Sequence, residues 1–211
     1  LPLLGGSPSV WSVAMVFFQA VLLAGYGYAH LIVRRLSPRA AITLHLLVLS
    51  LAFAALPVAL AADTGAPPER GAEFWLVGLF LSAVGLPFFA VSATAPLLQA
   101  WFARGLHARA ADPYFLYGAS NLGSFAALIA YPLVFEPWLT LRAQTATWSA
   151  GFVLLMAMIA AAGILTMAWG NAGVAPARPA SRSATVAWRD RLSWVALAFV
   201  PSALLIAVTS H

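Results

Sequence analysis

Cysteine and lysine are both missing from this 211-residue chain. The first absence excludes disulfides, thiolate catalysis and cysteine metal sites. Charge of either sign is scarce, at 8% of residues, against about 25% in an ordinary soluble domain. A globule of this size could not cover its surface with so few charges, so lipid is its natural solvent. Only six residues are acidic, and all lie in loops or at the ends of apolar stretches. The mid-span carboxylate usual in proton-coupled pumps is missing. So are a glycine-rich phosphate loop, a zinc-spaced histidine motif and a serine elbow. The chain is therefore read as a non-enzyme, with no metal and no cofactor implied. No basic segment precedes the apolar start at Leu1, so no cleavable signal peptide is expected, and the chain reads as a piece of a longer one.

What the sequence has in abundance is apolar length, with 63% hydrophobic residues. A helix needs roughly 20 such residues to cross the hydrocarbon core. Six stretches qualify: about Pro8 to Val33, Pro38 to Ala62, Glu73 to Phe102, Pro113 to Val134, Ala143 to Trp169, and one that starts near Leu192. The expected fold is all-α, a polytopic transmembrane bundle of about six spans. Ser7-Pro8, Ser37-Pro38 and Asp112-Pro113 each put a capping side chain before a proline, which has no N–H to leave orphaned. Tryptophans near the ends, Trp11, Trp75, Trp101, Trp138, Trp188 and Trp194, suit an interfacial belt.

The net charge of +5 comes from arginine alone. The arginines occupy gaps between apolar runs and form no clustered basic face, which excludes nucleic acid as a partner. Arg34, Arg35, Arg39, Arg104, Arg109, Arg178, Arg182, Arg189 and Arg191 fall on one side of the alternating spans. Arg70 and Arg142 fall on the other. By the positive-inside rule the nine mark the cytoplasm. The expected location is a bacterial inner membrane, with Leu1 starting outside and an earlier helix preceding it. Residues 1–169 form a five-span bundle. Residues 170–191, basic and rich in Pro, Ala and Arg, form a cytoplasmic linker. Residues 192–211 begin a sixth span.

Polar residues inside the spans are the functional candidates. Pro87 and Pro96 interrupt helical hydrogen bonding in the third stretch, near Thr94 and Gln99. Either this is a broken helix that presents backbone groups to a substrate, or it is a kink. In the fourth stretch Ala119, Gly123 and Ala127 recur at intervals of four, a face on which another helix can pack. Asn121 lies among them and needs partners. Gln19 in the first stretch is similar. Thr94, Gln99, Asn121 and Gln19 are therefore expected along a substrate path. His30 and His45 fall at similar depths near the arginine-rich side, which makes them weak candidates for a haem or pigment ligand pair.

The segments LPLLGGSPSVWSVAMVFFQAVLLAGYGYAH, SATAPLLQAWFAR, DPYFLYGASNLGSFAALIAYPLVFEP and RLSWVALAFVPSALLIAVTSH resemble the membrane part of spermidine synthase-like membrane proteins. These are fusions of a major facilitator-like region with a soluble domain. The resemblance covers nearly the whole chain. It implies a further helix before LPLLGG, so that six spans make one facilitator-like half, with the start of a second bundle after the linker. It also implies a soluble aminopropyltransferase-like domain beyond this sequence, for which the chain has no matching residues. Two functions fit these features. One is transporter-like binding or translocation of a small molecule, such as a polyamine or another cationic metabolite. The other is a non-catalytic accessory subunit packed with other membrane subunits in a respiratory or photosynthetic complex.

Overall fold

In a computed structural model, residues 8–56, 68, 71–103, 114–170 and 187–209 are described. Among them every regular element is helical: α1 Pro8–Arg35, α2 Pro38–Ala54, α3 Ala72–Phe80, α4 Leu86–Ala103, α5 Tyr114–Ala130, α6 Glu136–Trp138, α7 Leu141–Gly170 and α8 Trp188–Thr209. The expected all-α bundle is what forms. Among the described residues, four stretches are long and apolar enough to cross a membrane: Val10–Arg35, Ala72–Ala103, Phe115–Trp138 and Leu141–Ala168. Helix α2, at 17 residues, is a shorter apolar helix, and residues 57–62 of the expected second span lie outside the described residues. The chain forms two compact units, Leu1–Gly173 and Val174–His211. Most of the expected linker, together with the Ser7 and Asp112 caps, also lies outside the described residues.

Local chemistry sets the helix starts. Ser37 caps α2 in an extended conformation, and its hydroxyl accepts from the Ala40 N–H at 3.3 Å, just ahead of Pro38. Thr140 does the same for α7, accepting from the Ala143 N–H at 3.3 Å. Gln144 secures that corner, its amide donating to the carbonyls of Leu139 (3.0 Å) and Phe135 (3.3 Å). Replacing Ser37 with alanine should cost about 0.5–2 kcal/mol. A thermal melt of Ser37→Ala in detergent checks this, and an unchanged melting point would show the cap to be idle.

Prolines widen the long helices without breaking them. Leu81–Gly85 is a π-helical turn that joins α3 to α4 just before Pro87, and Tyr131–Phe135, which contains Pro132, joins α5 to α6. A wide turn absorbs the hydrogen bond that a proline cannot donate. Pro96 sits within continuous α4. The third span thus carries a π-helical bulge and is helical throughout, with no unwound segment. Other hydroxyls bond back to their own helices, as Ser82 does to the Leu79 carbonyl and Thr166 to that of Ala162, which leaves few polar groups needing partners elsewhere.

Helix α4 lies at the centre of the first unit, packed against α1, α2 and α7. Phe17 packs near Phe80 and Gly25 lies against Ser92, so α1 runs parallel to the α3–α4 span. Phe53 meets Phe152 and Ile42 meets Gly163, so α2 runs antiparallel to α7. The apolar core gathers Ala29, Ile32, Ile42, Leu49, Ala93, Leu97, Phe152 and Ile159 around α4. Helix α5 meets α4 near its start, where the rings of Phe102 and Phe115 lie 5.2 Å apart.

Candidate functional site

Three helices bring a polar cluster into this core. On α2 the buried face carries Ala41, Ile42, His45, Leu49 and Ala52. On α4 it carries Ala90, Thr94, Leu97 and Trp101. Both follow helical spacing, which aims His45 at Thr94. The His45 Nε2 lies 3.3 Å from Thr94 Oγ1, with the imidazole fully buried. Thr94 spends its own hydroxyl hydrogen on the Ala90 carbonyl, at 3.0 Å. With that hydrogen on Ala90, the Thr94 oxygen accepts from His45, and the tautomer assigned to the imidazole carries its proton on Nε2. That leaves Nδ1 as a lone-pair acceptor, and this buried atom has no partner.

Tyr28 of α1 completes the cluster. Its ring lies 6.1 Å from the imidazole, and its buried hydroxyl has no partner either. Each such group costs about 1–3 kcal/mol when left unsatisfied. Tyr28, His45 and Thr94 stand 7, 7 and 9 residues from Arg35, Pro38 and Ala103 respectively. They therefore lie about 10–14 Å from the same end of the bundle, at the helical rise of about 1.5 Å per residue. Trp101, two turns beyond Thr94, buries a third unpaired atom, its Nε1. It is 2% exposed, packed inside the bundle near the end of α4.

Of the four expected path residues, only Thr94 joins this cluster. Gln99 is half-buried, while Gln19 and Asn121 are exposed. Ala119, Gly123 and Ala127 are exposed as well, and a Cβ on Gly123 would meet nothing within 4 Å. The two histidines occupy opposite environments. His45 is interior, whereas His30 is exposed, with Arg34 Nη1 3.4 Å from its Nε2. Among the described residues no three His, Asp or Glu side chains gather as metal ligands would. Tyr28 escaped sequence reasoning because one tyrosine on an apolar span carries no pattern of its own. His45 was visible, but its partner Thr94, 49 residues away, was not paired with it.

An apolar cleft of about 560 Å³ opens beside the cluster, lined by Ala20, Val21, Ala24, Leu81, Gly85, Leu86 and Phe89. Scans of protein-family profiles, curated proteins and solved structures found no match to this chain.

Proposed function

We propose that this chain is a transporter-like domain that binds a small molecule in the membrane, with Tyr28, His45 and Thr94 as its polar contacts. The observation that carries this is the unpaired Nδ1 of His45, held by Thr94 in a fully buried setting. A polar group kept at such cost within a span is a functional candidate by default. The sequence resemblance adds a context: the membrane region of a spermidine synthase-like protein in a bacterial inner membrane, with the arginine-rich ends cytoplasmic. A polyamine is the ligand least suited to this cluster. The described acidic residues of the first unit, Glu73 and Glu136, sit in first turns of helices, so neither offers a counter-charge at the depth of His45.

The test is thermal stabilisation of the purified protein by a panel of polar and amphiphilic metabolites. At least one should raise the melting point of the wild type and lose most of that effect in Thr94→Val. Ligands that act equally on both proteins, or no active ligand, would remove the site.

A second reading has its own support. None of the Phe115–Trp138 span is buried, and Gly118 and Gly123 leave room for another helix to approach. An accessory subunit packed against partner subunits would use this face. Co-purification with other membrane proteins in a fixed ratio would favour it.

A further inference from the structure

The cleft and the polar cluster lie along one seam. On α1, Ala20 and Ala24 line the cleft, and Tyr28 follows one turn later on the same face. On α4, Phe89 lines the cleft one turn beyond Gly85 of the π-helical turn. The Phe89 ring also lies 5.3 Å from that of Tyr28. Phe89 thus borders both the apolar cleft and the Tyr28 ring. The small residues Ala20, Ala24 and Gly85 leave the cleft its width, and its lining is apolar throughout.

The two unpaired atoms have complementary needs. In the tautomer assigned from the Thr94 contact, His45 Nδ1 accepts. The Tyr28 hydroxyl can donate. A ligand hydroxyl answers both, donating to Nδ1 and accepting from Tyr28. An ether or an aldehyde offers no proton to Nδ1, and an ammonium ion would bring an unpaired charge into low dielectric. Resting on the binding role proposed above, we infer that the ligand is a hydroxyl-headed lipophile. Its apolar body fills the Ala20–Ala24–Gly85 cleft, and its head group reaches Tyr28 and His45 when the Phe89 ring swings aside.

The experiment compares 4-decylphenol with its methyl ether, 4-decylanisole, against the purified chain in lipid nanodiscs, reading melting point and bound ligand by native mass spectrometry. The two share an apolar body and differ in the proton that Nδ1 requires. The phenol should bind saturably, and the ether at least tenfold more weakly. Tyr28→Phe, which removes one oxygen, should weaken phenol binding about fivefold or more. Ala24→Leu, an exposed position on the cleft wall, should abolish it while the melting point holds. Equal binding of phenol and ether, or phenol binding indifferent to both variants, overturns the inference. If neither compound binds but a water-soluble metabolite still stabilises the wild type over Thr94→Val, this ligand class is wrong and the binding role stands. If nothing distinguishes wild type from Thr94→Val, both fail.

Discussion

Gly25→Leu should separate α1 from α4 and lower the melting point by roughly 6–12 °C, on about 3 kcal/mol of overpacking. A Cβ at Gly25 would collide with Ser92 Oγ and lie 3.2 Å from both the Ala93 nitrogen and the Phe89 carbonyl oxygen. The last two are backbone atoms of α4 and cannot rotate away. Ser92 has little freedom either, since its hydroxyl donates to the Phe89 carbonyl at 2.8 Å. In lipid, close backbone approach and dispersion hold helices together, so a blocked contact has no hydrophobic gain to offset it. Gly27, two residues on, is the control: a Cβ there meets nothing within 4 Å. Gly27→Leu should melt with the wild type. Equal melting points for the two leucine variants would show that α1 and α4 do not meet at Gly25.

His45→Leu should lose ligand binding by tenfold or more while its melting point holds or rises. The substitution removes the unpaired Nδ1, worth about 1–3 kcal/mol of relief, and forfeits one neutral hydrogen bond worth about 0.5–1.5 kcal/mol. Thr94 keeps its bond to the Ala90 carbonyl, so no new orphan is made. Leucine is close enough in volume to fill most of the site. A residue kept for packing behaves in the opposite way. Leu97, fully buried on the same helix, should cost about 2–5 kcal/mol on replacement by alanine, through the cavity left behind. Thermal melts of both variants, each with and without ligand, separate the two roles. A His45→Leu protein as damaged as Leu97→Ala would mean that the imidazole serves packing.

The spans were legible in the sequence because lipid demands about 20 apolar residues per crossing. Glu73–Phe102 and Ala143–Trp169 lie within the observed Ala72–Ala103 and Leu141–Gly170. The Ser37 cap was legible too, because a hydroxyl before proline has few other uses. Which face of each helix meets a neighbour was not legible. In water the buried face is the apolar one, but a membrane helix is apolar all round, so periodicity carries no such contrast. Hence spacing marked the small residues of α5 as a face for another helix, while the close approach of α1 to α4 at Gly25 carried no such signal. Proline positions marked disturbed helix correctly but could not distinguish a π-helical turn from a break. At the site, His45 and Thr94 were each conspicuous as polar residues in apolar spans. Their pairing needed the packing of α2 on α4, and Tyr28 needed that of α1.

The most direct test of the ligand-binding role is native mass spectrometry of the protein drawn gently from its own membrane, with wild type and His45→Leu side by side. The expected result is a small-molecule adduct on the wild-type chain that is lost from the variant, with both proteins folded. The same adducts on both, or a peak that carries other subunits in fixed ratio and no small molecule, would contradict it.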